Sequence, residues 1–245
     1  MRIRKKTNLL PRMEKCGDLL IADPENYRGQ WLARLPGHEK LYLELGCGKG
    51  AFTAKTAQAN PDCLLVAVEK VPDAMVMAME RAASMSLNNV RFIDADALNL
   101  SEMFDKGEVC RIYLNFCDPW PRSHDAKHRL TAPGFLRLYA DALPLGGEIH
   151  FKTDNDPLFD WSVEMFKNEG WDISELTNNL HKHGPKGFMT DYEAKFFAEN
   201  ISINRLVATK SAATKTTADG TPPRMYNAGI ERPYRTSEVL GGHDK

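Results

Sequence analysis

Short apolar runs alternating with stretches of helical periodicity restrict the fold of this chain more than any other property. The runs LYLELG (41–46), CLLVAVE (63–69), VRFI (90–93), VCRIYLNF (109–116) and EIHFKT (148–153) read as strands, with helical patterns at 49–59, 72–86, 97–104 and 132–142 between them. Four of these strands are mostly apolar, as expected of strands covered on both faces. A strand–helix–strand order requires parallel pairing through right-handed crossovers, so the expected architecture is α/β with a doubly wound sheet. A helix near 156–168 and two more strands, WDISELT (171–177) and ISINRLVA (201–208), bring the sheet to seven strands. In PDAMVMAMERAASM (72–85), Met75, Met79 and Ala82 share one helix face, and the methionines read as core packing.

The flanks differ from this rhythm. Residues 1–36 read as a basic arm and a leading helix, 37–208 as the main domain, and 209–245, Thr/Ala-rich without periodicity, as a mostly disordered tail. The arm carries Arg2, Arg4, Lys5, Lys6, Arg12 and Lys15 against Glu14; it is either a mobile or partly ordered basic arm or a solvated terminus with no partner. PENYRGQWLARL (24–35) follows Asp23 with a proline, a cap-and-first-turn signature for the leading helix. The whole chain has 32 Lys/Arg against 33 Asp/Glu, so any basic footprint is local. No apolar stretch reaches membrane-spanning length, and MRIRKK lacks the apolar segment of a secretory signal. Five cysteines without a C-x-x-C pair argue against zinc and a disulfide framework, and for a reducing cytoplasm. A monomer or homodimer is expected.

ELGCGKG (44–50) falls where the first strand meets its helix. Gly46, Gly48 and Gly50 allow close backbone approach to a ligand, although a tight turn uses glycine equally. Glu69, 25 residues beyond Glu44 at the end of the second strand, can accept hydrogen bonds from a ribose diol; the alternative is a surface acid paired with Lys70. The G-x-G-x-G spacing is not the G-x-G-x-x-G of a dinucleotide site and lacks the Lys-Ser/Thr of a P-loop. A compact nucleoside ligand such as S-adenosylmethionine fits it better than NAD. IDADAL (93–98) ends the third strand in two acids. Either Asp96 reaches an adenine amino group while Asp94 faces solvent, or both are turn residues.

The fourth strand delivers FCDPWPRSHDAKHRL (116–130) to the same carboxyl edge, where such sheets bind ligands. Pro119 and Pro121 bias Asp118 and Trp120 toward extended backbone, presetting the carboxylate's direction. Arg122, His124, Lys127, His128 and Arg129 follow. They form either a salt-bridged loop or a grip on a polyanion beside a working carboxylate. Trp120 offers a face on which a base can stack, or is a packing aromatic. Cys117 and Cys47 read as small buried thiols. Thr190-Asp191-Tyr192-Glu193 is a capping-box pattern opening a short helix, and HKHGPKG (181–187) is a phosphate-contacting lid or a plain connector.

In order and spacing, ELGCGKG, Glu69, DADAL, YLNFCDPWP with its basic follow-on, HFKTDN and TDYEAKF resemble the bacterial tRNA (guanine-N7-)-methyltransferase family over about residues 2–208. The resemblance implies a class I methyltransferase fold, Rossmann-like and mostly parallel, with an antiparallel final strand. It implies S-adenosylmethionine as methyl donor, no metal, and guanine 46 in the variable loop of tRNA as acceptor. By the same resemblance Glu44, Glu69, Asp96 and Asp118 are cofactor-binding acids beside Gly46, Gly48 and Gly50, and Asp118 is catalytic. Arg122, Asp154, Thr190, Asp191, Tyr192 and Glu193 match substrate-binding positions; His124, Lys127, His128 and Arg129 belong to the RNA-contacting loop. Arg122 stands where the family commonly has lysine and His128 where arginine is common, and Ser123 and Asp125 interrupt the basic run. N7 of guanine carries an in-plane lone pair and loses no proton on alkylation, so no strong base is required. Two competing readings are a small-molecule methyltransferase with a closed apolar acceptor pocket, and a non-catalytic RNA-binding module. The intact Glu69, Asp96 and Asp118 set speaks against the second.

Overall fold

Strands β1 (Lys40–Leu45), β2 (Cys63–Val68), β3 (Val90–Ile93), β4 (Arg111–Asn115), β5 (Glu148–Thr153), β6 (Asp172–Thr177) and β7 (Asn204–Thr209) form one sheet in the order β3-β2-β1-β4-β5-β7-β6. These elements come from a computed structural model that describes residues 7–219. The first five strands pair in parallel, and β7 lies antiparallel between β5 and β6. The expected doubly wound sheet with an antiparallel final strand is therefore the observed one. Helices α1 (Leu9–Glu14), α2 (Trp31–Arg34), α3 (Ala51–Ala59), α4 (Pro72–Ser84), α5 (Leu100–Met103), α6 (Pro133–Ala142), α7 (Asp156–Asn168) and α8 (Asp191–Ala198) complete the described residues, with short 3-10 turns between some of them.

The central strands read as apolar because their side chains serve two cores. Leu41, Leu43, Leu45, Leu64, Val66 and Val68 face a cluster built with α2, α5, α6 and α7. Tyr42, Cys63, Leu65 and Ala67 face the other, built with α1, α3 and α4, where Met75 and Met79 are buried. Alternation along each strand sends successive side chains to opposite faces. The α3–α4 contact depends on Gly50. Its φ is +73°, and a Cβ there would lie 2.5 Å from the Cβ of Ala78. Because β1 sits between β2 and β4, the winding reverses at the carboxyl ends of β1 and β4, the place where open α/β sheets hold ligands.

Two expectations for the flanks are corrected, those for residues 24–35 and for 210–219. Residues 24–35 are not one helix: a 3-10 turn at Pro24–Tyr27 is followed by Gly29 at φ +72° and then by α2. The Glu108 carboxylate accepts the N–H groups of Gly29 (2.9 Å) and Trp31 (3.2 Å), anchoring the break to a distant loop. Part of the basic arm is helical, over Leu9–Glu14, where Met13 is buried and Arg12 grips Glu80 through two bonds of 2.7 and 2.6 Å. Arg2, Arg4, Lys5 and Lys6 lie outside the described residues. Residues 210–219 are packed rather than tail-like. Lys210 N–H donates to Gly147 O, Thr214 Oγ1 to Gly170 O at 2.9 Å and Lys215 N–H to Glu169 O at 2.9 Å. These bonds are specific but leave no periodic signature, which is why composition alone reads as disorder. The remainder of the tail, 220–245, lies outside the described residues.

Candidate active site

The β1 turn is fastened by acids from beneath. Glu44, fully buried on β1, accepts hydrogen bonds from Thr53 Oγ1 (2.6 Å) and Asn115 Nδ2 (3.2 Å). Asn115 keeps its own Oδ1 buried and without a hydrogen-bond partner. Glu69 accepts the N–H groups of Gly48 and Val71, both at 2.9 Å, one on each carboxylate oxygen. Lone pairs remain on both oxygens. Gly46, at φ +80°, has open space where a side chain would stand. Asp96 is half-buried and caps the 3-10 turn Ala97–Asn99 by accepting Leu98 N–H at 3.0 Å. Asp94 is buried, which corrects the expectation that it faces solvent.

Burial pushes the Glu44 carboxyl up from an ordinary 4.5 to about 7; the bonds from Thr53 and Asn115 and the charge of Lys152 offset only part of this. Below pH 4.5 the group is protonated in both folded and unfolded chains and costs nothing. As pH rises toward about 7 the unfolded chain releases the proton while the folded chain retains it, so stability falls. The full cost, about 3 kcal/mol, is present above that range. Glu44→Gln is expected to gain stability over the natural chain across the same window. Urea unfolding at several pH values measures it, and parallel stability curves for the two proteins would contradict the assignment.

The segment after β4 carries backbone strain. Phe116 (φ 54°) and Trp120 (φ 42°) both lie in the left-handed region, which disfavours residues with a Cβ by about 1–2 kcal/mol each. The expectation of an extended Trp120 is thereby corrected. Two interactions oppose the strain. The Arg129 guanidinium donates to Pro119 O and Trp120 O, and the Trp120 ring packs on His128 with centroids 5.2 Å apart. Asp118, between the two strained residues, is exposed, and no hydrogen bond or ion pair engages it among the described residues. Arg122, His124 and Lys127 are exposed, His128 and Arg129 half-buried. His124 Nε2 lies 3.4 Å from Asp125, so the interrupting acid pairs within the loop. Cys117 is half-buried, and burial pushes its thiol up to about 12, consistent with an inert thiol.

On the far side of β4 the capping box at Thr190 is formed, Thr190 Oγ1 accepting Glu193 N–H at 2.9 Å. Glu193 itself is fully buried. It takes Lys152 Nζ at 2.6 Å on one oxygen and His181 Nε2 at 3.0 Å on the other. A backbone amide can only donate, and Lys186 N–H meets His181 Nδ1 at 3.2 Å. His181 therefore carries its hydrogen on Nε2 and donates it to Glu193. Lys152 also donates to Phe188 O and stands 4.9 Å from the centre of the Phe52 ring. Asp191 is exposed and paired with Arg81 at 3.1 Å. Tyr192 is exposed beside Phe116 and Phe196, at ring distances of 5.5 and 4.3 Å. The nearby charge of half-buried Asp154 adds to the upward push that burial gives its phenol.

The geometry thus gathers Gly46, Glu69, Asp96 and Asp118 along one sheet edge, with Tyr192 and Asp154 beside it. It turns Glu44, Glu193 and Arg129 inward onto protein partners. Sequence reading missed Thr53, Asn115, Phe116, Lys152 and His181. Of these only Lys152 carried a signal, a lysine within a strand expected to be covered on both faces.

The fold is that of a methyltransferase. The solved 16S rRNA methyltransferase KamB superposes with a TM-score of 0.58 at 17% identity, covering 75% of this chain and 93% of that one. The aminoglycoside resistance methyltransferase NpmB1 gives 0.53 at 19% identity over the same shares. A family model described as a putative methyltransferase matches residues 38–206. The tRNA (guanine-N(7)-)-methyltransferase of Listeria monocytogenes serotype 4a is 39% identical over 209 residues, 85% of this chain and 98% of that protein. That of Clostridium acetobutylicum is 39% identical over 209 residues and 99% of its length. This chain belongs to the tRNA (guanine-N(7)-)-methyltransferase family.

Proposed function

We propose that the chain transfers a methyl group from S-adenosylmethionine to N7 of guanine 46 in the variable loop of tRNA, working in the cytoplasm. The observation that carries this reading is the exposed, unengaged carboxylate of Asp118. It stands three residues beyond the end of β4, the sheet neighbour of the β1 strand that leads into the glycine turn.

The residues on the sheet edge fit a compact nucleoside donor. The side of Gly46 is open, Glu69 is aimed and held by two backbone amides, and Asn115 Oδ1 lacks a partner. When bound, S-adenosylmethionine supplies an electrophilic methyl on a sulfonium. Glu69 would accept from its ribose, and Asp96 would hold its adenine. The chain's remaining task is to bring guanine N7 into line with that methyl, which is worth several kcal/mol as effective concentration. Positive charge grows on the purine during transfer, and Asp118 offsets it while accepting from the base's N–H edge. Phe116 and Tyr192 offer the unstacked purine an apolar face. Arg122, His124 and Lys127, all exposed, supply phosphate contacts.

The test is incubation with labelled donor and unmodified tRNA, followed by borohydride and aniline mapping of modified guanines. Label at one guanine, position 46, is expected, with tRNA affinity falling steeply as salt rises. Labelling of another base, or activity on small acceptors insensitive to salt, would overturn the proposal.

A further inference from the structure

Arg129 is the member of the basic loop whose charge is turned into the protein. Its Nε–H donates to Pro119 O at 3.0 Å and Trp120 O at 3.3 Å, and its Nη2–H donates to Trp120 O at 3.0 Å. A face of the guanidinium is occupied too, lying 4.4 Å over the ring of Trp161 on α7. In extended backbone, successive carbonyls point to opposite sides, and one planar fork cannot take both. The left-handed turn at Trp120 swings them to the same side. Fork and turn thus specify each other. The residue preceding Pro119 is Asp118, so whatever fixes this turn also fixes the direction of that carboxylate.

We propose that Arg129 is a positioning residue for methyl transfer rather than an RNA contact: its fork locks the Trp120 turn and thereby aims Asp118. This rests on the reading of Asp118 as the acceptor-side carboxylate. Arginine is required because lysine keeps the charge but offers a point donor without the two-pronged geometry. Trp161, by stacking on the fork, holds the turn to the helix that follows the Asp154 segment.

Four variants test this: Arg129→Lys, Arg129→Met, Trp161→Leu and Asp118→Asn. Each is measured for kcat with saturating tRNA, for donor affinity by calorimetry, for tRNA affinity across a salt series, and for thermal midpoint as a check on folding. Arg129→Lys is expected to lose about 10- to 100-fold in kcat although its charge is retained. Donor affinity and the slope of log Kd on log salt stay unchanged. Trp161→Leu moves kcat in the same direction by less. Adding Arg129→Lys to Asp118→Asn produces no further loss, since one residue acts through the other. An RNA contact behaves oppositely: Arg129→Lys is near wild type in kcat, and Arg129→Met lowers the salt slope by about one. That pattern, in folded variants, overturns the proposal. A wild-type rate for Asp118→Asn overturns the reading of Asp118 itself, whereas a wild-type rate for Arg129→Lys beside an impaired Asp118→Asn overturns only the positioning role.

Discussion

Asp118→Ala is expected to lower turnover by about a hundred- to a thousandfold, the range of a lost preorganised electrostatic partner. Its thermal midpoint is expected to match that of the natural chain. Both halves follow from placement. The carboxylate is exposed and engages no partner among the described residues, so removing it breaks nothing that holds the fold together. Donor affinity weakens only modestly, because Glu69 and the β1 turn remain in place. Single-turnover methylation with saturating donor separates the two effects. Wild-type methylation by this variant would discard the role.

Glu193→Ala carries the second large effect, this time on stability. The substitution leaves the Lys152 ammonium buried without its 2.6 Å partner and strips His181 and the capping box of theirs. Breaking a buried pair from one side costs about 3–5 kcal/mol, and denaturant titration reads the loss directly. Glu193→Gln is expected to fall between, keeping a hydrogen-bonding group without the charge. A variant of natural stability that fails only to bind tRNA would instead assign Glu193 a direct substrate contact.

The contrast between these residues describes what can be read from a chain like this. The sheet was legible because its parallel strands are covered on both faces and so announce themselves as apolar runs, and because Pro72 and Pro133 mark first turns of helices. The glycine turn was legible because its backbone conformation demands glycine locally. The capping box at Thr190 was too, since its partners are three residues apart. The inward turn of Glu193 was not, because its lysine is 41 residues away, on β5. Nor was the break at Gly29, stabilised by a carboxylate 79 residues further on. Trp120 misled for a different reason: the proline that follows it favours extended backbone, but a tertiary fork from Arg129 holds the rarer conformation.

The placement of β7 makes two parts of the sheet depend on a late segment of the chain. This strand lies between β5 and β6, both of which precede it in the chain. Until residues 204–209 have been synthesised, β5 presents an open edge and β6 has no neighbour in the sheet. Unpaired edges of that kind template association with other chains. The strand made last is therefore the one that both covers the β5 edge and joins β6 to the sheet.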